Sequence, residues 1–409
     1  MRLLIKNIAH IYSANTAEKF GSILDKENAQ IIIEDGLIKD IQNNSENINS
    51  NDYDRIVDAR SGVVLPGFVD AHTHPVFWHT REDEFIMRIQ GKSYEEIAEA
   101  GGGIRNSVRK FRQADYDSIK LVTKSRIARF AEYGTTTIEA KSGYGLSLVD
   151  EMRSLQIINE INAEQPIEMV PTFLGAHEIP DEYRNQREAY LDLLINEMIP
   201  AVKEKELAKY CDVFCEQGVF TVDESRRILK AANAYGLKSR IHADELSSFG
   251  GAELAGEIKA VSADHLVKIS EQGIRALAEN NVIPILLPGT TFFLGKNDYA
   301  PARKLIQAGC EIALATDFNP GSSATQNMQL IWTISAIKLG LLPQEILWAT
   351  TIIPARSLGL AERIGSIEPG KQADLIILDI PNLNYLPYFY GMNHVSKTLK
   401  KGEIIYERA

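Results

Sequence analysis

Val69-Asp70-Ala71-His72-Thr73-His74 ends a run of apolar and β-branched residues that begins at Val63. Such a run is typical of a buried strand. Side chains alternate along a strand, so His72 and His74 are expected on the same side of the chain. Two imidazoles on one side at the end of a strand can bind one metal ion. A His-x-His pair alone is equally compatible with two partly exposed loop histidines, so the rest of the chain has to decide.

The composition is that of an acidic globular protein. The chain has 409 residues, of which 44% are hydrophobic and 24% charged, and its formal net charge is −11. An acidic chain without a basic cluster argues against nucleic acid or an anionic membrane as a main partner. The apolar run at the N-terminus is interrupted by Lys6 and is too short for a signal peptide, and no run is long enough to span a bilayer. We therefore expect a small-molecule partner.

The three cysteines, Cys211, Cys215 and Cys310, are too few for a disulfide framework. A reducing cytoplasm fits this usage. Cys211 and Cys215 could belong to a metal site, but with Val213 between them they fall on one face of a predicted strand. We expect them to be buried thiols.

From Val63 onward, strand-like apolar runs alternate with amphipathic helical segments, which is typical of an α/β protein. The predicted strands are Val63–Asp70, Thr135–Ala140, Glu168–Phe173, Cys211–Glu216, Lys238–His242, Ala260–Ala263, Val282–Leu287 and Ile312–Ala315. The predicted helical segments include Ser118–Tyr133, Leu148–Glu164, Arg184–Lys209, Thr221–Tyr235 and Ser270–Glu279. Asp223 is expected to cap the segment Thr221–Tyr235, and Gly236 to end it.

Eight strands that alternate with helices predict a parallel sheet covered on both faces, and a closed (β/α)8 TIM-like barrel is the natural arrangement. The alternative is an open doubly wound sheet. It is disfavoured because no Gly-x-Gly-x-x-Gly follows the early strands.

Both ends of the chain resemble short strands and turns. The first part contains Arg2–Ile8, Ala29–Ile33 and Leu37–Ile41, and the last part contains Ala373–Leu378 and the hairpin-like run Val395–Tyr406. Each part alone has too few strands for a core. We therefore expect residues 1–62 and 360–409 to form one small β-sandwich beside a barrel of residues 63–359.

The working residues of such a barrel sit at the C-terminal ends of its strands. Five of the eight histidines fall at predicted strand ends, and only His10, His79 and His394 do not. Three imidazoles and one carboxylate at one rim can bind a metal ion and leave a position for water. The predicted metal ligands are His72, His74, His242 and Asp317.

A bound metal lowers the pKa of its water from ~15.7 to about 7, which supplies hydroxide at neutral pH. Glu245 and His265 are then left to move protons. Asp317 is a further candidate to accept the proton of the attacking water.

This pattern, together with the run Gly370-Lys371-Gln372-Ala373-Asp374-Leu375, resembles the amidohydrolase superfamily. Its members are metal-dependent hydrolases on a (β/α)8 barrel with a flanking β-sandwich. Two-metal subtypes carry a bridging lysine after strand four, where this chain has Glu216, whereas Lys141 follows strand two. The resemblance therefore implies one metal ion, and imidazole and carboxylate ligands suit zinc and iron alike.

A longer set of strings is similar to the imidazolonepropionase family of histidine degradation. That family hydrolyses 4-imidazolone-5-propanoate to N-formimidoyl-L-glutamate, and the resemblance implies a homodimer. The chain departs from the family at Trp78-His79, where small residues are more usual, and we interpret His79 as a loop residue. The strings are His72-Thr73-His74-Pro75-Val76-Phe77, Arg81-Glu82-Asp83-Glu84-Phe85, Gly91-Lys92-Ser93-Tyr94, Gly101-Gly102-Gly103-Ile104, Lys141-Ser142-Gly143-Tyr144-Gly145 and His242-Ala243-Asp244-Glu245.

A ring with a propionate tail needs a cation, and the fork of Arg81 can bind a carboxylate in a bidentate manner. The alternative for Arg81 is a surface ion pair with the acidic run that follows it. Tyr94 and Tyr144 offer hydroxyl groups, and His177 can hydrogen-bond and polarise the ring carbonyl.

Three further residues are assigned by resemblance alone. Asn319, Gly321 and Ser322 match family positions that contact the glutamate part of the product, and Glu245 belongs to the same substrate-binding set. The run Gly101-Gly102-Gly103 is interpreted as a mobile loop over the site.

Two other functions stay open from the sequence. One is an aminohydrolase of the same superfamily that acts on a cytosine- or guanine-like ring and releases ammonia. Arg81, Tyr144 and the glycine triplet favour the first function over this one. The other is a non-enzymatic barrel, which is disfavoured because all four proposed metal ligands are present.

Overall fold

The computed structural model describes residues 1–44, 49–92, 96–97 and 101–408. Its strands are β1 (Arg2–Ala14), β2 (Ile23–Glu34), β3 (Leu37–Asn43), β4 (Arg55–Asp58), β5 (Val63–Pro66), β6 (Phe68–Asp70), β7 (Thr135–Lys141), β8 (Glu168–Ala176), β9 (Tyr210–Cys215), β10 (Lys238–Ala243), β11 (Ser262–His265), β12 (Ile283–Leu286), β13 (Ala313–Leu314), β14 (Leu375–Leu378), β15 (Val395–Lys400) and β16 (Glu403–Glu407).

The α-helices span Glu82–Ile89, Gly103–Gln113, Tyr116–Glu132, Leu148–Glu164, Arg187–Leu193, Ile199–Glu204, Val222–Ala234, Gly251–Glu257, Glu271–Glu279, Pro288–Phe293, Ala302–Gln307, Met328–Lys338, Pro343–Thr350, Ile352–Ser357 and Tyr385–Tyr388. In the described part of the chain, none of them is both long enough and apolar enough to cross a bilayer.

Strands β6 to β13 form the predicted parallel barrel, with each strand beside its neighbour in the sequence. The ring closes between the residues that follow β6 and β13. There the amide of Asp317 donates to the carbonyl of His72 at 3.1 Å, and the amide of His74 donates to the carbonyl of Phe318 at 2.9 Å. An open doubly wound sheet would leave these two edges apart, so the barrel prediction is confirmed.

The remaining strands form a second, outer sheet from both ends of the chain, in the order β16-β15-β14-β5-β1-β2-β3, with β4 also paired to β1. This sheet encloses its own apolar cluster, which includes Leu3, Ile31, Val64 and Leu375. The sequence was right that the two terminal β segments combine, because neither segment alone has enough strands to bury its apolar side chains.

The predicted strand Val63–Asp70 is wrong as a single strand, because it breaks at Gly67 into β5 and β6. Strand β5 pairs with β1 and β14 in the outer sheet, whereas β6 pairs with β7 in the barrel. A Cβ atom at Gly67 would lie 2.4 Å from the Thr136 side chain, so the crossing between sheets requires glycine. Both halves are fully buried, and their apolar pattern therefore shows no break.

Two further differences from the prediction are a shifted strand and a divided helix. The strand predicted at Ala260–Ala263 is Ser262–His265 in the structure, which brings His265 into the strand itself. The helical segment predicted at Arg184–Lys209 is divided by a π-helical turn at Leu194–Met198.

Helix Val222–Ala234 is capped by Thr221, so the predicted cap at Asp223 is wrong. The Thr221 hydroxyl accepts from the amide of Glu224 at 3.2 Å, and the Glu224 carboxylate accepts from the amide of Thr221 at 2.8 Å. This reciprocal pair is a capping box. Asp223 lies within the first turn and pairs with Arg226, while Gly236, with φ of +83°, ends the helix as predicted.

Replacing Thr221 by alanine is expected to lower the free energy of unfolding by about 1 kcal/mol, because it leaves amides of the first turn without a partner. The matched control is Asp223→Ala, which removes only an exposed ion pair and a favourable charge near the helix N-terminus. Urea denaturation of both variants gives the comparison. A larger loss for Asp223→Ala than for Thr221→Ala would contradict the assignment of the cap.

Candidate active site

The four predicted metal ligands converge at the C-terminal rim of the barrel. His72 and His74 follow β6, His242 lies in β10, and Asp317 follows β13; all four are buried. The Nε2 atom of His74 lies 3.2 Å from that of His72 and 3.4 Å from that of His242. The Oδ1 atom of Asp317 lies 3.6 Å and 3.5 Å from the Nε2 atoms of His72 and His74.

Two carboxylates orient two of these imidazoles from behind. Asp264 accepts from Nδ1 of His72 at 2.6 Å, and Asp212 lies 3.0 Å from Nδ1 of His242. A proton on Nδ1 leaves the lone pair of Nε2 directed at the cluster. Burial lowers the pKa of His72 well below its usual value and keeps that ring neutral. For His242, burial acts in the same direction, but the Asp212 carboxylate outweighs it and raises the pKa.

The donor set fits a metal ion. Imidazole nitrogens about 2.0–2.1 Å from a tetrahedral zinc lie roughly 3.3 Å from one another, which is close to the 3.2–3.6 Å spacings of this cluster. Imidazole lone pairs that face each other at this distance repel unless a cation lies between them. His265 belongs to a second group with His72 and His242, in which the candidate ligand atoms all lie within 4.8 Å of one another.

A buried layer of charged side chains lies beneath this cluster, and the sequence interpretation missed it as a functional element. Lys141 donates to Glu139 at 2.8 Å and to Asp212 at 2.7 Å, and it lies 3.9 Å from Asp264. Arg240 lies 3.9 Å from Glu139. All five side chains are fully buried. The sequence feature that could have revealed this layer is the presence of charged residues at alternate positions of apolar strands, because such positions face the barrel interior.

Three residues of the site have left-handed backbone conformations, namely Asp244 (φ +50°), His265 (φ +74°) and Asp317 (φ +53°). Each such non-glycine conformation costs on the order of 1 kcal/mol and persists where its surroundings impose it. At Asp244 the surroundings impose the conformation through hydrogen bonds, because the Asp244 carboxylate accepts from the amides of Phe249 and Ala252 at 2.8 Å and 3.0 Å. The loop that carries Glu245 is thereby held in one shape.

The two proposed proton-transfer groups lie next to each other at the mouth of the cluster. The Oε2 atom of Glu245 is 3.6 Å from Nε2 of His265. Burial raises the pKa of Glu245 and also raises the pKa of Asp317 to about 7. Thr290 donates to Asp317 at 2.6 Å and so fixes one of its two carboxylate oxygens. Raised carboxyl pKa values suit groups that exchange protons near neutral pH.

A cavity of about 790 Å³ opens above this cluster, and most of the predicted substrate-binding residues line it. They are Arg81, Tyr144, His177, Glu245, Asn319, Gly321 and Ser322. Tyr94, predicted to contact the substrate, lies outside the described residues. His79 is exposed in a loop beside Trp78, in agreement with its interpretation as a loop residue.

Arg81 is largely buried, with only 13% of its side chain exposed, and its Nε donates to Ser107 at 2.9 Å. The Glu84 carboxylate lies 4.0 Å from Nε, at the outer limit of an ion pair, and both side chains are largely buried, so a surface ion pair does not account for the arginine. A Cβ atom at Gly321 would lie 2.5 Å from Nη1 of Arg81. The guanidinium therefore packs directly against the loop after β13.

Asn319 uses its side chain to shape that loop. Its Oδ1 accepts from the amides of Gly321 and Ser322, both at 2.8 Å, and its Nδ2 donates to the carbonyl of Asp317 at 2.7 Å. Because these contacts already occupy the amide group, the side chain of Asn319 fixes Gly321 and Ser322 against the cavity.

His177 stands beside the cluster, with its ring stacked on that of His74 at 5.2 Å between centroids. Its Nδ1 donates to the carbonyl of Gly143 at 2.9 Å. Burial lowers the pKa of His177 to about 3, so the ring is neutral and its Nε2 is an acceptor. The predicted role of polarising a ring carbonyl needs a proton on Nε2, whereas this arrangement favours acceptance from a ring N–H group.

The three cysteines are buried and unpaired, as expected for thiols that pack in the core. Burial is the main cause that raises the pKa of Cys215 to about 11, so its thiol stays protonated. A metal site at Cys211 and Cys215 is not supported by these surroundings.

Comparison with known proteins adds independent findings. The Amidohydrolase family matches residues 63–405. The chain is 46% identical to the imidazolonepropionase of Phocaeicola vulgatus over 99% of both chains. It is 47% identical to the imidazolonepropionase of Alkaliphilus oremlandii over 86% of this chain and 84% of that protein. Among solved structures, E. coli guanine deaminase aligns over all of both chains with a TM-score of 0.77 at 15% identity, which is a likeness of fold alone.

Proposed function

The chain belongs to the imidazolonepropionase family of amidohydrolases, and we propose that it hydrolyses the ring amide of 4-imidazolone-5-propanoate to N-formimidoyl-L-glutamate in histidine degradation. The observation that carries this proposal is the pairing of Arg81 with the histidine cluster in one cavity. The cluster can hold a metal ion that promotes hydrolysis of a carbon–nitrogen bond, and the arginine can bind an anionic tail.

We propose that His72, His74, His242 and Asp317 hold one metal ion, either zinc or iron. When bound, such an ion supplies Lewis acidity, which makes water nucleophilic at neutral pH and polarises a carbonyl oxygen. The support is the donor set and the neutral state of the buried imidazoles of His72 and His74, whose lone pairs are free to bind a cation.

The proton transfers are assigned to Glu245 and His265. Glu245 accepts a proton as the oxygen of water bonds to the ring carbonyl carbon. It then returns the proton to the ring nitrogen as the C–N bond breaks, so that water is divided between the new carboxyl group and the new N–H group. His265, 3.6 Å from Glu245, relays the proton, and Asp317 is a second acceptor.

Substrate recognition is assigned to the cavity wall. Arg81 binds the propionate through its free fork, and Tyr144 donates its hydroxyl, since burial raises its pKa and keeps it protonated. His177 accepts from the ring, and Gly321 and Ser322 contact the glutamate part of the product, with Asn319 holding their loop. Tyr94 stays in this set as a proposal from the sequence.

Replacing Arg81 by methionine is expected to raise KM by about 30-fold or more while kcat changes much less, because the lost interaction binds a part of the substrate remote from the reacting bond. Steady-state kinetics measure the two constants separately. The matched control is Arg88→Met. Arg88 lies on the same cavity wall, but its guanidinium stacks on the ring of Phe293. An unchanged KM in Arg81→Met would contradict the assignment.

The oligomeric state, the cellular compartment and the division into domains are proposed on separate grounds. We propose a homodimer, in line with an exposed segment of large hydrophobic side chains at Tyr388, Tyr390 and Met392, and light scattering tests it. The free cysteines suit a reducing cytoplasm. We also propose that residues 63–359 act as the hydrolase unit and that residues 1–62 with 360–409 act as its β companion, to whose sheet β5 also adds a strand.

The deciding experiment follows the absorbance of imidazolonepropionate generated in place from urocanate. Loss of absorbance well above the spontaneous rate is expected. No loss above that rate, in protein that holds metal, would overturn the proposal. Ammonia release from cytosine- or guanine-like rings would then test the aminohydrolase alternative, which rests here on a likeness of fold alone.

A further inference from the structure

Helix Gly103–Gln113 lies outside the barrel sheet but contacts the loops that carry the proposed substrate-binding residues. One face of this helix, which includes Ser107 and Phe111, is buried. The adjacent face carries Arg105, Arg109 and Arg112 at intervals of four and three residues, so the three side chains lie in line. The helix begins within the glycine triplet, at Gly103, whose amide donates to Glu84 at 3.0 Å.

The buried face holds Arg81. The Oγ atom of Ser107 accepts from Nε of Arg81 at 2.9 Å, and Ser107 is itself 6% exposed. Within residues 1–44, 49–92, 96–97 and 101–408, no other hydrogen bond to the Arg81 guanidinium is found. Because Nε is occupied, Nη1 and Nη2 are the donors left for a bidentate carboxylate.

The line of arginines holds the two neighbouring loops. Arg112 donates to the carbonyls of Gly145 and Leu146, at 2.7 Å and 2.9 Å, directly after Tyr144. The same side chain donates to Glu182 at 2.8 Å. These contacts fix the loop of Tyr144 and the segment that follows His177 against one helix.

Arg105 and Arg109 add a second connection to that segment, since both donate to Asp181, at 3.2 Å and 3.1 Å. These two pairs are partly exposed and each contributes little energy. Their significance is geometric, because they set the distance between the helix and the segment after β8.

We propose that Ser107 is a positioning residue that determines specificity for a carboxylate tail, with helix Gly103–Gln113 holding Arg81 in register with Tyr144 and His177. The hydroxyl of Ser107 fixes the rotation of the guanidinium plane, and bidentate binding requires that plane to face the carboxylate. The identity of the substrate in this inference rests on the proposed function. The preference for an anionic tail can be measured as binding, without any turnover.

The test compares two non-hydrolysable probes, an imidazole that carries a propionate tail and the same ring with the neutral primary amide. Their dissociation constants for the metal-loaded protein give a charge-selectivity ratio. Ser107→Ala is expected to lower this ratio by about tenfold, because one hydrogen bond to a charged group is lost, and to change kcat by less than about twofold. Ser107→Thr, which keeps the hydroxyl, is expected to retain most of the ratio.

A double-mutant cycle separates positioning from a structural role. In the Arg81→Met background, Ser107→Ala is expected to cause no further change in the ratio, because its effect acts through Arg81. Lys110→Ala, on the same helix, is the matched control and is expected to leave the ratio unchanged. An equal effect of Ser107→Ala in both backgrounds, or an equal loss for both probes, would overturn the proposal.

Two safeguards keep the outcome readable. If Ser107→Ala fails to fold, Ser107→Cys tests the same point, since it keeps the size of the side chain but replaces the hydroxyl acceptor with a weak one. An unchanged ratio in Ser107→Cys would then count against the proposal. A wild-type protein that binds the charged probe selectively but does not hydrolyse imidazolonepropionate would overturn the proposed function and leave the role of Ser107 standing.

Discussion

Replacing Glu245 by glutamine is expected to lower turnover by about 10²- to 10⁴-fold while bound metal is retained. The amide has nearly the same shape as the carboxylate but cannot take up a proton at neutral pH. Glu245 is not among the four proposed ligands, and it lies 3.6 Å from His265, so its loss removes proton transfer and leaves the cluster intact. Loss of substrate absorbance and the metal content of the purified variant are the two measurements.

The matched control for this substitution is Glu279→Gln, at an exposed helix end, which changes the net charge by the same amount. It is expected to match the wild type in both measurements. If Glu245→Gln keeps the wild-type rate, then Glu245 has no part in the chemistry. If it loses its metal, the residue acts on the cluster and the assignment of a proton-transfer role is wrong.

Removing the metal is expected to reduce turnover to the spontaneous rate and to lower the melting temperature. Without a cation, the imidazoles of His72, His74 and His242 face one another at 3.2–3.4 Å, and no positive charge offsets the repulsion between their nitrogen lone pairs. A ligand present at 100 times its Kd stabilises the folded state by about 2.7 kcal/mol. Dialysis against a chelator, followed by activity and melting measurements, tests both effects.

Adding back zinc or iron separately is expected to restore activity and the melting temperature together, and the more effective ion identifies the physiological one. Chelator already saturated with calcium is the control for effects of the chelator itself. A fully active protein with no detectable metal would contradict the assignment of the cluster and would return the site to the open alternatives.

Much of the site could be predicted because it depends on short-range rules. Strand alternation predicts that His72 and His74 point to one side, although β6 itself ends at Asp70. The other predicted ligands follow from the rule that barrel strands direct working residues to one rim. No three-dimensional information is needed to see that these strand ends meet. This is why the barrel agreed with expectation and why the four residues predicted as metal ligands lie close together.

The parts that could not be predicted depend on contacts between distant residues. The choice of Thr221 over Asp223 as helix cap is a difference of two positions that the sequence leaves undecided. The partnership of Lys141 with Asp212 spans 71 residues, and that of Arg81 with Ser107 spans 26. Periodicity carries no signal for such pairs, since each residue is unremarkable within its own segment.

The crossing at Gly67 has a consequence for how damage spreads through the molecule. Strand β5 of the outer sheet and strand β6, which leads to the first two histidines of the proposed metal site, are consecutive lengths of backbone joined at Gly67. A substitution that loosens the pairing of β5 with β14 would therefore be transmitted to His72 and His74. Substitutions in the terminal strands are thus expected to lower the metal content of the protein. Adding the metal to the growth medium is expected to restore part of the lost activity.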